Sequence, residues 1–355
     1  MADYSISVPD FAWLSIIRHL DVQSIVKLSC TCSALNRLCN DKNVWRDVDF
    51  TSLPKFDSRV LANFLFSTSL PIENVESIIW HGRHLLGARK KFVQAPIIRL
   101  IGEKCPKLKC LKIVYCDVTE ACVRDFPNTL KSLSLEGSLL RPDFFRTFLF
   151  DDFMPHLRIL NLNKSHNLGS KVTEDTMLGL KSRASKFTVL RLGYCYVLPP
   201  DFLHSLVSKL NNIRILSLNN LSGVNAAFCL LLRENCPRLT DLDLSFCKEV
   251  DDLSIAHLCA TKCGSFSDQS RSSSIVDHLP LKRLSLVEIG RLSDKIFDYL
   301  LNLPELIFVD VIKTHLSCNA MEAFQKKRPA CKIYSKFSEN AENVGAGFMY
   351  IDVGD

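Results

Sequence analysis

Apolar residues recur along this chain in steps of three and then two. In "CPRLTDLDLSFCKEVDD" (Cys236–Asp252) the series is Leu239, Leu242, Leu244. That step fits neither a helical face, where apolar residues return at +3, +4 and +7, nor a strictly alternating strand. The same step occurs at Trp45, Val48, Phe50; at Val75, Ile78, Trp80; at Leu108, Leu111, Ile113; and at Leu130, Leu133, Leu135. It continues at Leu157, Leu160, Leu162; Phe187, Leu190, Leu192; Ile213, Leu216, Leu218; Leu281, Leu284, Leu286; and Leu306, Val309, Val311. A last copy puts Cys331 and Ile333 in the +3 and +5 places. Leading positions from Trp45 to Leu306 are 30, 33, 22, 27, 30, 26, 26, 42 and 25 residues apart. Such a unit is a short strand turning inward and leading into a helix. It cannot bury its apolar face alone, so neighbours must stack into a solenoid. With the +3 and +5 residues inward, Leu242→Asp should be severely destabilising, whereas Ser245→Asp, just past the strand, should be tolerated.

Alternation sends the +2 and +4 residues to the opposite face of each strand. Most are polar, as at Ser134, Asn161, Ser217, Arg283 and Ser285. Ile159, Val189 and Ile215 break that rule on three consecutive strands, with Arg191 between them and Asp241 and Asp243 beside them. An apolar patch with a charged rim has the anatomy of a binding hot spot. These six residues are the expected contact surface for a bound protein, with Asp241 and Asp243 selecting a basic neighbour. Two plainer readings stand beside it: β-branched residues suit strands anyway, and the C-terminal tail could fold over the patch. Ahead of the repeats, Pro9 can open a helix because its missing N–H would be unpaired there. Trp13, Ile16, Ile17 and Leu20 then follow at helical spacing. Ile25 with Leu28, and Leu35 with Leu38, give two further short stripes. About forty residues bury only a small core, so this segment either docks on the solenoid and a partner or simply caps the first repeat.

Composition narrows the picture. A chain of 355 residues with 47% hydrophobic content and 22 Phe is built to bury a core rather than to stay disordered. No apolar run reaches the ~18 residues of a membrane span, and "MADYSISVPDF" lacks the charged start and apolar run of a secretory signal. The 15 Cys are expected to be reduced thiols in the cytoplasm or nucleus, where disulfides rarely persist. Their spacing offers no two matched pairs for zinc, and no metal or cofactor is expected. Cys116, Cys195 and Cys247 each follow a strand's last apolar residue by three, which suits small thiols in tight turns. There is no phosphate loop, no nucleophile motif and no carboxylate–His cluster, so no catalytic residue is assigned and the chain is not expected to be an enzyme. The net charge of +6 is spread without a nucleic-acid motif, and neither nucleic acid nor membrane is an expected partner. A basic stretch, "HGRHLLGARKKF" (His81–Phe92), reads as a solvated turn, and a Ser-rich insertion over 264–277 accounts for the step of 42.

The "C-P-x-L-x-x-L-x-L-x-x-C" form at Cys105–Cys116 and Cys236–Cys247 resembles the cysteine-containing leucine-rich repeats, which commonly travel with an F-box. In the segment before them, Val8-Pro9, Ile16-Ile17, Leu20, Asp21, Ile25, Leu28, Cys32, Leu38 and Trp45-Arg46 occupy F-box places in order. Val8 stands where Leu is usual, Phe11 where an acidic residue is common, and Leu35 where Trp is frequent. The resemblance implies a small all-helical F-box over 1–44, an α/β leucine-rich repeat solenoid (a horseshoe) over 45–334, and a tail over 335–355. It further implies a substrate-receptor subunit of a cullin-based ubiquitin ligase. Val8, Pro9, Trp13, Ile16, Ile17 and Leu20 would meet a Skp-family adaptor, and through it a cullin, while the repeats hold an unknown protein substrate. The competing readings are a scaffold, or an inhibitor acting by surface contact, that works without a ligase.

Overall fold

The computed structural model describes residues 9–53, 57–82, 91–150, 152–165, 174–196, 198–260 and 278–335. The expected insertion and nearly all of the tail lie outside these residues, as does most of the basic stretch. The chain divides into two compact units, Met1–Ile159 and Leu160–Asp355.

The first unit opens with three short helices, α1 (Asp10–Ile17), α2 (Val22–Ser29) and α3 (Ser33–Cys39). Local chemistry sets their starts. Pro9 precedes α1 with φ −60°, and its carbonyl accepts from Ala12 N and Trp13 N at 2.9 and 3.2 Å. Asp21 caps α2, accepting from Ser24 N at 2.9 Å, and Cys32 Sγ caps α3 by accepting from Leu35 N. Ile17, Ile25, Leu38 and Cys39 are buried between the helices. Trp45 Nε1 donates to the Cys39 carbonyl at 2.6 Å, and its ring lies 5.6 Å from Phe64, tying the end of α3 to the first strand. Parallel strands Asp47–Asp49, Ser77–His81, Cys110–Val114 and Ser132–Ser134 follow, with Val48, Ile78, Leu111 and Leu133 in register.

The second unit repeats the scheme with strands Val189–Arg191, Ile215–Ser217, Asp241–Asp243, Arg283–Ser285, Phe308–Asp310 and Lys332–Tyr334. All pair in parallel, which demands a crossover between each and the next. Helices such as Pro200–Val207, Ala226–Asn235 and Asp252–Cys259 supply it. Leu190, Leu216, Leu242, Leu284, Val309 and Ile333 stand opposite one another. The first five are at most 1% exposed. Burying a side chain of this size stabilises by ~1.5–3 kcal/mol, so the leucine row is the main cohesive element. The expected α/β leucine-rich repeat architecture, preceded by helices, is what the chain forms.

Two expectations need correcting. Ile333 pairs with Val309, which makes it a +3 residue, and Cys331 lies ahead of the strand rather than within it. Ser245 is 3% exposed; its Oγ lies 2.7 Å from Ser285 Oγ and accepts from Val287 N at 3.2 Å. An aspartate there would be a buried charge in a filled site, so tolerance is not expected. The turn cysteines are structural. Cys116, Cys195 and Cys247 donate to the carbonyls of Val114, Leu162 and Leu218 at 3.4, 3.1 and 3.3 Å. Burial pushes the Cys195 and Cys247 thiols up to about 12, far from the reactive thiolate.

Candidate functional site

The helical stripe expected to meet an adaptor splits when folded. Ile17 is fully buried between the helices, Trp13 and Leu20 are half-buried, and Pro9 and Ile16 are exposed; Val8 lies outside the described residues. Two further apolar side chains stand in solvent on these helices, Phe11 at 75% and Val26 at 49%, beside Ile16 at 51%. Phe11 was the residue most at odds with the F-box pattern, and that misfit was the one sequence signal that could have marked it. Three large apolar groups exposed on so small a segment lose free energy in water and recover it when covered.

The strand face of the second unit is more closed than alternation suggested. Val189 and Ile215 stand opposite each other yet keep only 3% and 7% exposure. Arg191 is half-buried, opposite Ser217. Asp241, opposite Ile215, is 3% exposed, accepts from Arg283 Nε through Oδ1, and takes Thr240 Oγ1 on Oδ2 at 2.6 Å. Its charge already has a partner within the chain. Asp243, 8% exposed, accepts from Ser245 N at 3.0 Å, with Ser217 Oγ 3.4 Å away. Burial raises its pKa against these hydrogen bonds and the Arg191 charge. Asp310 accepts from Ile312 N at 3.1 Å and is pushed up to about 6, by burial first and by Asp243 as well. Ile159 closes the first unit, half-buried, with its N–H donating to the Lys131 carbonyl at 3.1 Å.

A second row of residues was not anticipated. Seven places after the leading residues Leu157, Phe187, Ile213, Leu239, Leu281 and Leu306, the backbone is left-handed: Lys164, Tyr194, Asn220, Phe246, Glu288 and Lys313 have φ between 57° and 63°. In the first unit Tyr115 and Gly137 hold that place. The recurrence at seven was available in the sequence, but of the left-handed residues in this row only Gly137 and Asn220 are types that mark such a turn. Among the described residues no group of three or more His, Cys, Asp or Glu side chains could hold a metal ion.

Comparison with known proteins fits this geometry. Residues 6–51 match the F-box-like family. Human F-box/LRR-repeat protein 12 is 28% identical over 135 residues, 37% of this chain and 40% of that protein. Bovine F-box/LRR-repeat protein 4 is 22% identical over 254 residues, 65% of this chain and 36% of that protein. Mouse lysine-specific demethylase 2B is 20% identical over 251 residues, which are 67% of this chain but 18% of the demethylase. The chain thus spans about two fifths of the length of the first relatives. Among solved structures, internalin C2 of Listeria monocytogenes matches with a TM-score of 0.39 and 16% identity, over 68% of this chain and 84% of that one. The repeat fold rests on this chain's own parallel strands and leucine register. With F-box-like helices ahead of those repeats, the chain is similar to the F-box and leucine-rich repeat proteins.

Proposed function

We propose that this protein is the substrate-recognition subunit of a Skp–cullin–F-box ubiquitin ligase, working in the cytoplasm or nucleus. The observation that carries the reading is the F-box-like match over residues 6–51 on helices that leave Phe11, Ile16 and Val26 in solvent. In this reading the F-box over 1–44 docks on a Skp-family adaptor and through it a cullin, and the repeats over 45–334 hold the protein to be ubiquitinated. Phe11, Pro9, Ile16 and Val26 meet the adaptor, while Ile17 supports them from the core. On the repeats, Arg191 offers its accessible part to the bound protein, and Val189 and Ile215 shape the face from beneath. The chain contributes proximity and orientation, and other subunits perform the chemistry.

The test is direct binding of the purified full chain to a Skp-family adaptor. Phe11→Asp and Ile16→Asp together alter only exposed positions, so folding should be kept while affinity falls about tenfold or more. Deleting 1–44 is a poorer test, because it strips Trp45 of the Cys39 carbonyl. A wild-type chain that fails to bind the adaptor would leave the repeats as a scaffold or inhibitor acting without a ligase.

A further inference from the structure

The leucine row is not sealed at its far end. Among the described residues, the +3 position of every repeat from Val48 to Val309 is at most 2% exposed. Ile333, the +3 residue of the last described strand (Lys332–Tyr334), is only half-buried. An end position alone does not explain this, because Val48 lies on the first strand of the first unit and is still 2% exposed.

The backbone on that side is open as well. Lys332 N donates to the Ile307 carbonyl at 2.8 Å, and the Tyr334 carbonyl accepts from Val311 N at 2.8 Å, so both face the preceding strand. Alternation turns the N–H and C=O of Ile333 the other way. Two repeats earlier, the Lys282 carbonyl takes two amides of the next strand, Ile307 and Phe308, at 2.9 and 3.1 Å. The matching carbonyl of the last described strand, Cys331, takes Gln325 Nε2 at 2.8 Å instead. A side chain there stands in for the amides of a further strand. The end of a repeat stack needs a cover, and an open strand edge invites unwanted pairing.

Past the described residues the chain reads "GFMYIDVGD" (Gly347–Asp355). Phe348, Ile351 and Val353 are spaced three and then two apart, the step that marks the strands of the repeats. Asp355 then falls at +7, where Lys313 has φ 57°, and aspartate is among the types enriched in that left-handed region. Phe348 follows Ala330, the leading place of the last described repeat, by 18 residues, fewer than any earlier step. The 15 residues 335–349 between Tyr334 and Tyr350 still meet the roughly dozen that a parallel crossover requires.

We propose that Tyr350–Asp352 adds one more parallel strand to Lys332–Tyr334, with Ile351 opposite Ile333, so that the chain covers the end of its own solenoid. The amides of Met349 and Tyr350 then replace Gln325 on the Cys331 carbonyl. Two observations select this occupant over a second copy or a separate partner. It carries the repeat's own step, and it is tethered to the edge it covers, at an effective concentration of about millimolar. The inference rests on the repeat register and not on the ligase reading.

The test is hydrogen–deuterium exchange of the full chain, read by peptide mass spectrometry, with sedimentation at several concentrations. In the monomer, amides of residues 350–353 should exchange about tenfold or more slowly than in a synthetic peptide of residues 336–355. Ile351→Asp should return that segment to the peptide's rate and speed exchange at 332–335, leaving the strands Asp241–Asp243 and Arg283–Ser285 protected. Val344→Asp, at an apolar residue off the step, should change neither. Wild-type amides of 350–353 that exchange at the peptide's rate would overturn the proposal. Protection that survives Ile351→Asp, or that both substitutions remove equally, would do the same. Protection that rises with concentration alongside a dimer would assign the edge to a second copy and sink the tethered strand.

Discussion

Asp310→Asn should make the protein more stable near neutral pH and leave it unchanged in acid. Asp310 is 5% exposed, beside Ser285, with Asp243 on the other side of that serine. Its carboxyl group is raised from 3.8 to about 6 in the fold. Below about pH 3.8 both folded and unfolded chains hold the proton, and ionisation costs nothing. Between 3.8 and about 6 the unfolded chain ionises while the folded one resists, so stability falls as pH rises. Above that window the penalty is complete: a little over two units at 1.36 kcal/mol each, or about 3 kcal/mol. Asparagine keeps an oxygen for Ile312 N and carries no charge. Urea unfolding of both chains at about pH 4 and pH 7.5 should give nearly equal stabilities in acid and a gain of up to about 3 kcal/mol for the variant at the higher pH. A variant less stable than wild type at the higher pH, or one offset equally at both, would refute the reasoning. Asp243, raised in the same direction, adds to the wild-type slope without changing its sign.

Two further outcomes follow from the repeat core. Leu242→Ala, at 0% exposure with Leu216 and Leu284 as strand neighbours, should cost ~2–5 kcal/mol in chemical unfolding, and Ser245→Asp should also lower the melting temperature; a neutral Leu242→Ala would contradict the register. Alkylation of the native chain near neutral pH, read by mass spectrometry, should label exposed Cys30, Cys32 and Cys318 and spare buried Cys105, Cys195, Cys236 and Cys247, whose thiols burial pushes up to about 12.

The leucine register was legible because a three-then-two step is compatible with one geometry, and the inward residues from Val48 to Val309 occupy it in both units. The last repeat was misread because Cys331 and Ile333 leave too few apolar residues to fix a register, and only pairing with Val309 does so. Alternation assigned Val189, Ile215 and Asp241 to their face. It could not say that neighbours ~4.8 Å away on each side would shut most of that surface from water, or that Arg283 would already hold Asp241. The helical segment was legible from Pro9, Asp21 and Trp45, each tied to a specific capping or closing contact. Which of its apolar residues stay outside was not, since helical spacing placed buried Ile17 and exposed Ile16 on one stripe.

The step of 42 residues between the leading positions Leu239 and Leu281 leaves the strands it joins in register, with Asp241, Leu242 and Asp243 opposite Arg283, Leu284 and Ser285. Downstream, Ser293 still reaches back to Asp252, donating from N and Oγ at 2.8 and 2.5 Å. Closing a longer connection costs only ~0.6 kcal/mol for each doubling of its length, and a stack held by neighbour contacts does not sense how far the chain wanders between two layers. This junction is therefore a port in the architecture. Evolution could add sequence there, or an engineer could graft a tag or a second binding module, without renegotiating the rest of the fold.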